Sequence, residues 1–310
     1  GGSSRSLYLS LSNIDPKDAD ITVWCKKSGP IQEKYNVHGI PVQIEPKMPR
    51  VTSLPRLSRN LYVYGLFVRD WLKSDQFRKE LIAATDLVDV VHFNHESLFL
   101  IAAWLKKRTK KPLSMHIRTN RYGTPFCRWQ ARTIVRNLDS LIFITHNERE
   151  TLAKLSGMPV NGKVIYNIAA KIHSEPSPKV PSNKLFKIAS LSNFAWVRGT
   201  DRLIDIAKAL KTYGRNDILF VVAGNMRLTR SLPGLLGDIG AKGGTLSDYV
   251  DLCGLSKMFL FVGHVSDPER VLAACDVLIK PTREANPWGR DILEGLAAGK
   301  PVISIGKYCK

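Results

Sequence analysis

Residues 280–304 read KPTREANPWGRDILEGLAAGKPVIS, and the reading of the whole chain turns on this stretch. The apolar run CDVLIK at 275–280 stops at Pro281, which has no N–H to give a sheet and so ends a strand. A short polar loop follows, and from Gly289 onward Ile292, Leu293, Leu296 and Ala297 recur at helical spacing. Gly299 and Pro301 stop that helix, roughly 289–298, and PVISI at 301–305 is the next strand. Strand, loop, helix and strand within residues 275–305 make a βαβ unit, whose two strands run parallel.

The same alternation extends back along the chain. ITVWC at 21–25, DVVHF at 89–93, PLSMHI at 112–117, SLIFIT at 140–145 and KVIYN at 163–167 read as strands. Residues 97–110, 126–138 and 148–155 read as helices between them. Residues 174–184, SEPSPKVPSNK, have linker composition. The pattern then restarts with FKIASLS at 186–192, a helix over 200–212, DILFVVAG at 217–224 and FLFVGHV at 259–265. The expected fold class is α/β, with two Rossmann-like domains at 1–173 and 186–310 joined by a linker at 174–185. Such sheets bind ligands beyond the carboxyl ends of their strands, so the loops after the strands and the crevice between the halves are where chemistry is expected. A doubly wound pattern also calls for a strand before the helix-like stretch at 3–12 and for helices after residue 304, so the chain reads as a piece of such a protein.

Composition bounds the partners. With 310 residues, 44% hydrophobic and 24% charged, the chain can bury a sizeable core. Its formal net charge of +19 points to phosphates, nucleic acid or an anionic membrane surface. The excess is spread over both halves, and no helix-turn-helix, zinc-finger or RNP-type pattern accompanies it, which leaves a nucleic-acid-binding protein as the weaker rival. The longest apolar runs, LYVYGLFV at 61–68 and LFLIAAWL at 98–105, fall far short of the roughly 20 residues that span a bilayer. Five cysteines without C-x-x-C spacing fit neither a disulfide framework nor a structural zinc site, and suit a reducing cytoplasm. No His, Cys or carboxylate set has metal-ligand spacing.

Several residues stand where chemistry is expected. The N–H groups at the start of the helix near Gly289 form an anion site. Glu294, on a largely apolar helix, needs a partner, which either ribose hydroxyls or Arg290 one turn back can supply. His116 stands at a strand end, where a neutral imidazole can hydrogen-bond a sugar hydroxyl, while His92 and His95 read as loop or packing histidines. Residues 97–138 hold Lys106, Lys107, Arg108, Lys110, Lys111, Arg118, Arg121, Arg128, Arg132 and Arg136 and no acidic residue. Upstream, residues 56–79 mix Leu, Tyr, Phe and Trp71 with basic residues, a pattern that suits either core packing or a membrane interface.

With Glu294 and GLAAGKPVIS at 295–304 in place, the chain resembles the retaining GT-B glycosyltransferases of family 4, also called glycosyl transferases group 1. The resemblance covers most of the chain, closest over 280–304, weaker over 186–224 and 259–281, and loose before residue 88. It implies two Rossmann-like domains holding a nucleotide-sugar. In that family the glutamate at the place of Glu294 binds ribose, and a glutamate eight positions earlier contacts the donor sugar. Asn286 stands there in this chain, so Asn286 or Glu284, with Pro287 and Trp288, takes the donor sugar. In ASLSNFAWVRGTDRLIDIAKAL at 189–210, Arg198 stands for the family's lysine and Asn193 for its arginine. Arg198 and Gly199 are then diphosphate-binding together with Gly289, and Arg198 and His116 are catalytic. GGSSRS at 1–6 resembles the family's glycine loop, which would put Gly1 and Gly2 against the diphosphate, although the remnant of an expression tag would read alike. Gly263, His264 and Val265 resemble the turn that seats the base. The implied activity is a retaining hexosyltransferase that uses a UDP- or GDP-sugar, without metal or other cofactor. Its acceptor would be a membrane-associated glycan or lipid in surface-polysaccharide biosynthesis, with the enzyme cytoplasmic and peripheral at the inner face of the cell membrane. A non-catalytic nucleotide-sugar-binding protein is the alternative.

Overall fold

The computed structural model describes residues 2–49, 61–119, 123–169, 174–283 and 289–305, which form two compact units, 1–168 and 169–310. In the first unit, β1 (Val23–Cys25) and β2 (Val42–Ile44) pair in parallel around α2 (Pro30–Val37). A separate parallel sheet has the order β3-β4-β5-β6, made of Val91–Phe93, Leu113–Ile117, Ser140–Phe143 and Gly162–Val164. Its side chains alternate as the pleat requires. Phe93, Leu113, Met115, Ile117, Leu141 and Phe143 are buried, against α5 (Phe99–Lys106) and α6 (Pro125–Asn137). His92, Ser114, His116 and Lys163 fall on the opposite, more exposed face.

Residues 61–86 form two helices, α3 (Leu61–Leu72) and α4 (Asp75–Asp86). The break comes at Ser74, which is fully buried and whose hydroxyl donates to Trp71 O at 2.6 Å. Phe67 and Trp71 pack on the core of this unit, and Arg78 lies over the Trp71 ring at 4.9 Å, while Val68 and Leu72 stay exposed.

The second unit is one parallel sheet of order β11-β10-β7-β8-β9. The strands are β7 (Phe186–Leu191), β8 (Ile218–Ala223), β9 (Phe259–Gly263), β10 (Val277–Lys280) and β11 (Val302–Ser304). Every residue of β8 is buried, as a strand covered on both faces must be. One core, with Ile188, Phe220 and Val222, lies beneath α8 (Arg202–Thr212). The other, with Ala189, Val221 and Leu278, lies beneath α11 (Pro268–Ala273). Segment 174–185 packs on this unit, since Val180 belongs to the second core and Ser177 N donates to Arg270 O at 2.8 Å. The chain passes from β7 outward to β9 and returns to β10 on the other side of β7. The order of the sheet therefore reverses between β7 and β10.

Candidate active site

At such a reversal the loops leaving two neighbouring strands diverge and a recess opens at their carboxyl ends. Here it is lined by Ser190, Leu191 and Ser192 from the end of β7, Ile279, Lys280 and Pro281 from the end of β10, Arg198 from the loop after β7, and Asp291 from the first turn of the helix after β10. The two loops are clamped together. Val197 O accepts from Arg283 N (2.8 Å) and from the Thr282 hydroxyl (3.1 Å). The Arg283 guanidinium donates to both carboxylate oxygens of Asp201 (2.7 and 2.6 Å) and stacks on Trp196 at 3.6 Å. Gly199 sits at φ 68°, and a Cβ there would lie 2.0 Å from Pro281 O, so only glycine allows this approach. Arg198 is exposed at the recess, and its guanidinium makes no hydrogen bond or ion pair among the described residues.

Gly289 caps α12 (Arg290–Ala297) in extended conformation, so the free N–H groups of this helix start at the recess. The Lys280 ammonium reaches the same place, where it bonds Asp291 Oδ1 at 2.9 Å. Lys280 and Asp291 escaped the sequence reading because neither belongs to a motif there; a lysine ending a strand just before proline was the available signal. Of the two partners open to buried Glu294, the structure forms the ion pair, with Arg290 Nε and Nη2 donating to Glu294 Oε1 at 3.2 and 3.1 Å.

The other strand ends of this unit meet the recess loops. Gly224 (φ 137°) follows β8 against the backbone of Ser192 and Asn193, where a Cβ would lie 2.3 Å from Ser192 O. Asn193 Oδ1 accepts from Asn225 N at 2.8 Å, so this side chain ties two loops together and adds no charge. Gly263 O accepts from Gly224 N at 2.7 Å, and beyond it His264 is exposed and Val265 half-buried. Glu284, Asn286, Pro287 and Trp288, like Gly1, lie outside the described residues.

In the first unit, Ser114, His92 and His116 form a hydrogen-bonded chain across β3 and β4. His92 Nδ1 lies 2.8 Å from the Ser114 hydroxyl, and His92 Nε2 lies 2.9 Å from His116 Nδ1. Desolvation by the surrounding protein, followed by the positive charge of Arg118, pushes both histidine pKa values well below the usual range, so both rings are neutral at pH 7. His92 is thus more than a packing histidine, because it holds one nitrogen of His116. Arg118 belongs to the interior, with its guanidinium on Asn94 and Asn167 and its N–H on Glu96 Oε2 at 3.1 Å. Gly2, expected in a glycine loop, instead opens α1 (Gly2–Leu11).

The basic run at 97–138 does not survive folding as one patch. Lys106 pairs with Asp139 at 2.7 Å, Arg108 lies over Trp104 at 4.4 Å, Arg132 donates to Ser156 O, and Arg118 is internal. Arg121 lies outside the described residues, Lys111 is half-buried, and Lys107, Arg108, Lys110, Arg128, Arg132 and Arg136 are exposed. No described helix is long and apolar enough to cross a membrane. Among the described residues no group of three or more His, Cys, Asp or Glu is placed to hold a metal ion.

Comparison with known proteins agrees with this architecture. No curated protein sequence matches the chain. Among solved structures, Anabaena Alr3699/HepE in complex with UDP-glucose is similar at a TM-score of 0.69 and 19% identity, over 97% of this chain and 76% of that one. A glycosyltransferase from Rickettsia africae matches at 0.62 and 16%, over 97% and 75%. The lipopolysaccharide outer core galactosyltransferase WaaB matches at 0.58 and 16%, over 97% and 76%. The model of Glycosyl transferases group 1 matches residues 173–309, and that of Glycosyltransferase Family 4 matches residues 1–168. Two Rossmann-like units, a switch-point recess lined by Arg198 and both family matches lead to one assignment: the chain belongs to Glycosyltransferase Family 4 and is a glycosyltransferase of the α/β GT-B fold.

Proposed function

We propose that this glycosyltransferase moves a hexosyl group from a nucleotide-diphosphate sugar to a membrane-associated glycan or lipid acceptor in surface-polysaccharide biosynthesis, with retention of anomeric configuration. The observation that carries the reading is the recess between β7 and β10, where Arg198 and the start of α12 face one small space. A guanidinium and helix N–H groups suit a diphosphate, and they stabilise it most when charge develops on the leaving oxygen. The Anabaena relative, seen with UDP-glucose, supports a uridine donor as the first to test.

In this reading Arg198, Gly199 and Gly289 hold the diphosphate, Glu294 holds ribose through an oxygen it shares with Arg290, and the turn at Gly263, His264 and Val265 seats the base. Asn286 or Glu284, with Pro287 and Trp288, takes the sugar, and His116 hydrogen-bonds a sugar hydroxyl. The bond from anomeric carbon to diphosphate oxygen breaks, and the acceptor oxygen bonds that carbon on the same face. The acceptor's proton passes to the departing diphosphate. No metal is needed where protein cations and backbone dipoles meet the developing charge. Exposed Lys107, Lys110, Arg128 and Arg136 would add contact with an anionic membrane at the cytoplasmic face.

Isothermal titration with UDP and GDP in the absence of metal tests the donor site. Micromolar binding of one nucleotide supports the reading and names the base, and binding of neither refutes it. A second reading, donor binding without turnover, has the engagement of Asn193 and of Glu294 in its favour. Release of free nucleotide from the matching donor sugar excludes it.

A further inference from the structure

We infer that Lys280, together with Arg198, meets the donor's diphosphate and supplies the positive charge that Asn193 does not. The inference rests on the donor-site reading above and assigns a residue that no motif marks. Three positive groups converge at the end of β10. They are the Arg198 guanidinium, the Lys280 ammonium, and the N–H groups at the start of α12. An ammonium beside a helix N-terminus is electrostatically unfavourable unless an anion lies between them. Among the described residues Asp291 is the one carboxylate lining the recess, with Oδ1 2.9 Å from Lys280 Nζ and 3.1 Å from Ile292 N.

One carboxylate against these groups leaves the described lining of the recess positive, and it uses one of the three N–H donors of the ammonium. The side chains of Lys280 and Asp291 are 16% and 14% exposed, so little water screens them. The ammonium comes close to the backbone at Gly289, where a Cβ would lie 2.2 Å from Lys280 Nζ. Asn193 is occupied with Asn225 N, across the loops that follow β7 and β8, and cannot take the same role.

The test is titration of the full chain and its variants with nucleoside di- and monophosphates of the base that the wild type binds. The preference for diphosphate over monophosphate is the readout. Lys280→Met should weaken diphosphate binding by about 10- to 100-fold, the range of a lost charge-assisted contact, and leave monophosphate binding within about threefold. Lys280→Arg should restore most of the preference. Should Lys280→Met alone fold poorly because Asp291 is left unpaired, the double variant with Asp291→Asn removes both charges and should show the same collapse. An unchanged preference in a folded variant, or an equal loss for both nucleotides, overturns the inference and leaves the donor site standing. If the wild type binds neither diphosphate, the donor-site reading falls and this inference falls with it.

Discussion

Substitution of Gly199 by alanine tests whether the two loops of the recess are held by direct backbone approach. Gly199 and Gly299 both adopt φ 68°, but their surroundings differ. A Cβ on Gly299 meets nothing within 4 Å, whereas one on Gly199 would lie 2.0 Å from Pro281 O and 3.0 Å from Pro281 C. Gly299→Ala therefore carries the backbone penalty alone, about 1–2 kcal/mol, less a few tenths recovered from a stiffer unfolded chain. Gly199→Ala carries the same penalty plus an overlap with a carbonyl, which typically adds about 1–3 kcal/mol. Relief requires Pro281 to move, and Val197 and Arg283 are bonded across the same gap. The substitution should thus cost about 2–4 kcal/mol in urea unfolding of the second unit. It should also weaken nucleoside diphosphate binding measured under conditions where the variant is folded. Gly299→Ala should lose stability only and keep its affinity. If the two variants unfold at the same urea concentration and bind equally, the loops are not clamped as described.

Other predictions follow from the same geometry. Arg198→Ala should lower turnover with little change in thermal stability, because its guanidinium holds no other described group; unchanged turnover removes it from the mechanism. Glu294→Gln should weaken nucleotide-sugar binding, and equal affinity in calorimetry would leave Glu294 only its pairing with Arg290. The folded pKa values of His92 and His116 lie below their unfolded value of about 6.5, so the unfolded chain binds more protons in acid. Their contribution is whole above about pH 6.5 and is lost as pH falls toward the folded values. The variant with His92→Gln and His116→Gln should therefore lose less stability between pH 7 and pH 5 than the wild type, and equally steep profiles would refute this. Flotation with liposomes should increase with anionic lipid, and indifference to lipid charge would set aside membrane contact through Lys107, Lys110, Arg128 and Arg136.

The classes of element and their order were legible in the sequence, because those depend on near neighbours. Period-two and period-3.6 patterns placed β3 to β11 and the helices after β7 and β10, and Gly299 with Pro301 stopped α12 where the backbone turns left-handed. The start of the last helix marked Gly289, and the resemblance to the glycosyltransferase family marked Arg198 and Gly199, all in loops that follow strands. In β2 only Val42 and Ile44 are apolar between Pro41 and Pro46, too little pattern to read, and the break at Ser74 depends on burial, which no local spacing reveals. Strand order was decided only in three dimensions, and it sets β10 rather than β9 beside β7. That choice brings Lys280 to Arg198 and Arg283 to Asp201 and makes Gly199 obligatory against Pro281. Within the first unit, packing takes Arg118 of the basic run into the interior and pairs Lys106 with Asp139. Periodicity records which face of an element is apolar, whereas the partner of that face is chosen by packing between segments far apart in the chain, and the recess is built from those partners.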